Sequence, residues 1–215
     1  MILSDFHGLI FDLDGTLLDS MSVWDRVDAA FLRRRGIPVP HDYARSIAHL
    51  SFPTAAQYTI DRFGLSESVA AITAEWHALA VDAYRGDVPL KPGARTFLSR
   101  ARAQGKRIAA ATSSDTALIG PCLERLGIRD WFETIVTVQE VARGKGFPDI
   151  YELAAARLGL SAADCAVFED ILRGVEGAKK GGFYTVGVYD PASDADRAAI
   201  AQAADLYIRT WNELI

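Results

Sequence analysis

Residues 9–20 read LIFDLDGTLLDS, and the fold turns on this stretch. The apolar run Leu9–Phe11 gives way to two aspartates one residue apart, Asp12 and Asp14, followed by Gly15 and Thr16. A short apolar run closed by polar residues reads as a buried strand. Two carboxylates at its end are costly away from water, unless something neutralises them or their repulsion is used. Taken alone, the pair could also be a cap or a turn.

Further short apolar runs come after the first, Gly8–Phe11: Arg107–Ala111, Thr134–Val138, Ala166–Phe168, Tyr184–Val188 and Asp205–Ile208. Between the later ones lie helix-like segments, Arg95–Ala103, Thr116–Leu126 and Ile150–Leu158, with apolar spacings of three or four and glycine at several ends. Strands alternating with helices predict βαβ units and an α/β fold, a Rossmann-like, mostly parallel sheet with helices on both faces. In such sheets, ligands bind where the carboxyl ends of the strands meet. Residues 17–88 break the alternation. They read as three helices, Met21–Arg35, Pro53–Phe63 and Val69–Tyr84, each bounded by Gly or Pro. The expected division is a core domain of residues 1–16 and 89–215, with an inserted helical cap at 17–88.

The 215 residues, half of them hydrophobic, suffice for a large core. A net charge of −5 argues against nucleic acid or an anionic membrane as the main partner. Cys122 and Cys165 lie in apolar surroundings and read as buried free thiols, and no Cys/His cluster suggests zinc. His7, His41, His49 and His77 share no metal-like spacing and read as structural or surface residues. Lys179 and Lys180 read as a solvated helix face. The opening MILSDFHGLIF lacks a basic start and carries Asp5 and His7, so no secretory leader is expected. No apolar run reaches membrane-spanning length. The expectation is a cytoplasmic monomer.

The residues just past each strand are more telling. The first strand leads to Asp12 and Asp14, the second to Thr112, Ser113 and Ser114, and the fourth to Glu169 and Asp170. After the third comes VARGKGFPDIY, with Lys145 between two glycines and Pro148 suited to a first helical position. Four acids, a hydroxyl and a lysine are thus brought to one edge. A hard cation such as Mg²⁺, taking one or two carboxylates plus substrate phosphate, would explain the acids. The lysine and hydroxyl would hold the remaining phosphoryl oxygens. Singly, Lys145 could be a solvated loop lysine and Thr112 a strand-end or N-cap residue.

In this order, each after a strand, the set resembles the haloacid dehalogenase superfamily, in the subgroup with a helical cap inserted after the first motif. The likeness spans nearly the whole chain: DxDGT at Asp12–Thr16, the Thr112 hydroxyl, Lys145, and Glu169-Asp170. It departs at Gly146, where a proline is usual, and at Ile171, where a serine often stands. The resemblance implies that Asp12 is the nucleophile of an aspartyl-phosphate mechanism and Asp14 the acid and then the base. It implies Mg²⁺ on the Asp12 carboxylate, the Asp14 backbone carbonyl and Asp170, with Glu169 a direct ligand or an acid nearby. Thr112 and the Ser113 N–H would grip the phosphoryl group, and Lys145 would offset its growing charge. The family's dehalogenase branch lacks the second aspartate, so Asp14 favours phosphate chemistry.

The implied activity is hydrolysis of a small phosphorylated metabolite such as a sugar phosphate. A response-regulator receiver also gathers acids, Thr and Lys around Mg²⁺, but is shorter and has no cap. A catalytically silent phosphate-binding protein is a further alternative. Within the family, β-phosphoglucomutase is the alternative enzyme. Its cap uses His, Arg and Lys, whereas here Trp24 falls where the gating His would stand and Phe52 near the Arg. The helix Val69–Tyr84 holds no lysine, although Arg26, Arg45 or Arg62 could substitute. Trp24, Phe52 and Trp76 suggest an apolar lid over a monophosphate.

Overall fold

The computed structural model describes residues 2–47 and 52–215, less the side chains of Ile2, Leu3 and Arg45. His49, and Arg45 as a phosphate partner, therefore fall outside what can be described. The chain forms two compact units, one of Met1–Ser20 with Pro89–Ile215, the other of Met21–Val88.

The first unit is built on a parallel sheet of six strands, counted among the described residues. They are β1 (Gly8–Phe11), β2 (Arg107–Thr112), β3 (Thr134–Thr137), β4 (Cys165–Glu169), β5 (Tyr184–Val188) and β6 (Leu206–Ile208), in the order β3-β2-β1-β4-β5-β6. The sheet grows outward from β1 in one direction and, after β3, crosses back to grow in the other. That reversal opens a crevice at the carboxyl end of β1. Strand β1 is buried along its whole length, as a central parallel strand covered on both faces must be.

Its side chains alternate between two cores. Ile10 joins Ala109, Val136 and Val167 beneath Tyr151 and Ala154. Phe11 points the other way, stacked on Phe168 at 4.7 Å and close to Phe97 and Trp211. In register, Phe11 lies beside Ala110 of β2 and Phe168 of β4. Asp12 is thus the first residue beyond β1, and its N–H still bonds to the Phe168 carbonyl at 2.9 Å.

The helices of this unit are α1 (Ile2–Asp5), α6 (Ala94–Ala103), α7 (Thr116–Arg125), α8 (Asp149–Arg157), α9 (Leu172–Lys180) and α10 (Arg197–Ala203). Helix α8 begins one residue after Pro148, whose carbonyl accepts from Tyr151 and Glu152. Helices α1 and α10 have no counterpart in the sequence reading, and α9 has one only in the helix face carrying Lys179 and Lys180. Leu17–Ser20 belong to this unit, past the expected division at residue 16: Leu17 and Leu18 are buried, and Leu18 bridges Leu90.

The second unit holds α2 (Met21–Arg34), α3 (Tyr43–Ile47), α4 (Phe52–Phe63) and α5 (Val69–Gly86). Helix α3 is too short to leave a periodic signal. Helix α5 buries Ile72, Trp76, Ala80 and Tyr84 at four-residue intervals, which carries it through Gly86 rather than ending it at Tyr84. Helix α2 offers Val23, Val27 and Phe31, and the Phe31 and Trp76 rings meet edge-on at 5.5 Å. Trp24 packs against Phe52, and Phe52 against Trp76. Among the described residues, no helix in either unit is long and apolar enough to cross a membrane.

Candidate active site

The loop after β1 folds as it does because of Gly15 and Thr16. Gly15 has φ +83°, a region side-chain-bearing residues avoid, and a β-carbon there would lie 2.4 Å from the Asp170 carboxylate. The vacant space lets Asp170 approach, and the Thr16 hydroxyl then donates to Asp170 Oδ1 at 2.9 Å. The Thr16 carbonyl accepts the Trp211 indole N–H at 3.1 Å, fastening the loop from below.

Around this loop the structure gathers Asp12, Lys145, Glu169 and Asp170, all buried. The Lys145 ammonium donates to Asp12 Oδ1 and, at 2.6 Å, to Glu169 Oε1. The Tyr151 hydroxyl donates to that same Glu169 oxygen at 2.8 Å. Asp14 stands apart from the acid cluster. Its carboxylate, only partly buried, accepts from the Ser20 and Ser114 hydroxyls at 2.7 Å each. Thr112 is buried at the end of β2, with its oxygen accepting the Ser114 N–H at 3.0 Å, which leaves its own O–H to donate. Ser113, beside it, is exposed.

Charge decides what the cluster can hold. Burial pushes the Asp12 carboxyl up, with Lys145 pulling it back and Asp14 adding to the rise. Burial likewise raises Glu169, to about 7, and Asp170 well above the ordinary range, the latter helped by Asp12 and Glu169. Burial works against the Lys145 charge, but Asp12 and Glu169 outweigh it and hold the ammonium protonated. Oxygens of Asp12, Glu169 and Asp170 lie within 4.8 Å of one another. With all three carboxyls ionised, the one ammonium would leave two negative charges uncompensated, the charge of one divalent cation. Glu169 Oε2 is buried without a hydrogen-bond partner among the described residues. An all-oxygen donor set of this kind suits a hard cation such as Mg²⁺. The residues present therefore fit a metal centre.

The model of the haloacid dehalogenase-like hydrolase family matches residues 6–182. The chain is a haloacid dehalogenase-like hydrolase. Hexitol phosphatase A of Escherichia coli is 32% identical over 187 residues, spanning 86% of this chain and 84% of that protein. The β-phosphoglucomutase of Bacillus subtilis is 37% identical over 126 residues, spanning 58% of this chain and 54% of that protein. A Thermotoga maritima structure described as a candidate β-phosphoglucomutase superposes with a TM-score of 0.86 at 25% identity, over 97% of this chain and 98% of that one.

Several parts of this hydrolase's site escaped the sequence reading. Gly174 and Gly177, three apart on α9, form a seat. A β-carbon at Gly174 would meet the Glu169 carboxyl at 2.4 Å, and one at Gly177 would meet the Lys145 carbonyl at 1.9 Å. The G-x-x-G spacing was the available signal. Lys180, exposed as expected, also donates to the Gly146 carbonyl at 3.0 Å, pinning the loop where a proline is usual. Lys179 pairs with Asp205. Ile171 is exposed and precedes α9 without a side-chain cap. Both cysteines are buried and neither is in a disulfide among the described residues, and His7 and His41 are exposed.

Proposed function

We propose that the chain is a Mg²⁺-dependent phosphomonoester hydrolase that turns over a small phosphorylated metabolite through an aspartyl-phosphate. One observation carries the reading: a single ammonium, Lys145, shared by Asp12 and Glu169 within a cluster of three buried carboxylates. The hexitol phosphatase relative supports a sugar or polyol phosphate as substrate.

Asp12 attacks phosphorus, and the leaving alcohol takes a proton from Asp14. Asp14 then removes a proton from water, which displaces Asp12 and releases inorganic phosphate. Ser20 and Ser114 hold Asp14 through both its oxygens, apart from the buried acids. That separation suits a group that must exchange protons while Asp12 stays ionised. The Thr112 hydroxyl and Ser113 N–H grip the phosphoryl oxygens, and Lys145 balances charge that builds on them. Asp12, Asp170 and the Asp14 backbone carbonyl would hold Mg²⁺, with Glu169 direct or through water. The ion would supply Lewis acidity toward the phosphoryl oxygens.

Phosphate release from a panel of sugar phosphates and p-nitrophenyl phosphate tests the reading. Activity is expected to vanish in EDTA and return with Mg²⁺; full turnover in metal-free buffer would overturn it. The β-phosphoglucomutase likeness favours a second reading, phosphosugar mutation, for which the aspartyl-phosphate must wait for a second sugar.

A further inference from the structure

A largely buried ion pair lies outside the catalytic set. Lys91, on the segment that returns from the helical unit, donates to Asp190 Oδ2 at 2.8 Å and to the Tyr189 carbonyl at 2.7 Å. Asp190 is 2% exposed. Burying such a pair rarely adds net stability, because desolvation offsets the attraction. The geometry suggests another use. Lys91 is itself fixed, its N–H bonded to the Leu17 carbonyl at 2.9 Å, next to the Leu18–Leu90 bridge. Asp190 shapes the 3₁₀ turn Pro191–Asp196 by accepting the Ala192 N–H at 2.8 Å, and its carbonyl accepts the Ser193 N–H. From that turn the Ser193 hydroxyl reaches Asp170 Oδ2 at 3.4 Å, the oxygen that Thr16 leaves free.

We infer that Lys91, Asp190 and Ser193 are positioning residues: the ion pair fixes the turn so that Ser193 steadies the second oxygen of Asp170. This rests on the reading of Asp170 as a metal-holding acid. The three residues touch neither metal nor substrate and act only through that carboxylate. Groups that orient a metal-holding side chain commonly change affinity tenfold or more when removed. Thr16 alone would leave Asp170 free to swing about its Oδ1 contact.

The test is calorimetric titration of Mg²⁺ into the whole protein, alongside thermal melts. Ser193→Ala and the double variant Lys91→Met/Asp190→Asn, which removes both charges but keeps an acceptor for Ala192, are compared with wild type. Each is expected to bind Mg²⁺ roughly tenfold more weakly, and KM for the phosphate ester at saturating Mg²⁺ should change less than twofold. Variants that melt lower but bind Mg²⁺ as wild type does would show a merely structural pair and overturn the proposal. If the double variant does not fold, Ser193→Ala decides, since it removes one hydroxyl at a partly exposed position. Wild-type protein that binds no Mg²⁺ would overturn the reading of Asp170 itself, and this inference with it.

Discussion

Asp12 and Asp14, with one residue between them, meet opposite surroundings, one buried against an ammonium, the other held by two hydroxyls. The difference gives distinct expectations for similar substitutions. Asp12→Asn keeps shape and hydrogen bonding but removes the attacking oxyanion, so turnover should fall by several orders of magnitude on every substrate, with the fold intact by circular dichroism. Asp14→Asn removes a proton donor, which alkyl phosphates need and p-nitrophenyl phosphate does not. The loss should be about a hundredfold or more greater for the alkyl esters. Equal losses on both would exclude Asp14 as the acid. Asp12, Asp14, Thr112, Glu169 and Asp170 were legible because they follow apolar runs. Lys145, well past the end of β3, stood out by its place between two glycines and by the family resemblance. Tyr151, Ser20 and Ser193 were not legible, because a lone hydroxyl on a helix or turn looks the same whether it meets a carboxylate or water.

At the scale of elements, the strands were readable and α9 only at its final two lysines, for one physical reason. Continuous burial writes a strand as an apolar run, whereas α9 needs glycine where close approach matters, and glycine weakens a helical signal. Two substitutions separate these effects. Gly177→Ala would put a methyl against the Lys145 carbonyl, backbone that cannot yield cheaply. Its expected cost is roughly 2–4 kcal/mol, or about 5–15 °C in Tm, with activity lost as the lysine loop shifts. Gly120→Ala, in α7 with nothing within 4 Å of the new carbon, should be neutral or stabilising by up to about 1 kcal/mol. Helix α2 carries a pH-sensitive group. Burial, aided by Asp25, raises the Asp28 carboxyl to about 7. The folded state then holds a proton that the unfolded chain gives up near pH 4, so this group costs stability as pH rises from about 4 to 7. Asp28→Asn should therefore gain on wild type by on the order of 1–4 kcal/mol between pH 4 and 8, measured by urea unfolding. A difference independent of pH would refute that origin.

At the scale of the whole molecule, the choice between hydrolase and mutase depends on where a second phosphate could be held. In the helical unit, Arg34, Arg35 and Arg62 already face Glu75, Glu67 and Asp42, and Trp24, Phe52 and Trp76 form an aromatic row. The expectation is hydrolysis. Phosphorus NMR with β-glucose 1-phosphate and a trace of glucose 1,6-bisphosphate should show free phosphate or no reaction. Rapid glucose 6-phosphate with little phosphate would establish the mutase reading. The fold's order also has a consequence in time. The Thr16 carbonyl is fastened by an indole 195 residues further along, and at about 5–20 residues per second a ribosome takes roughly 10–40 s to make that stretch. Through that interval the first motif exists as sequence without its anchor, so a nascent chain stalled before Trp211 should display the acids without the geometry that arms them.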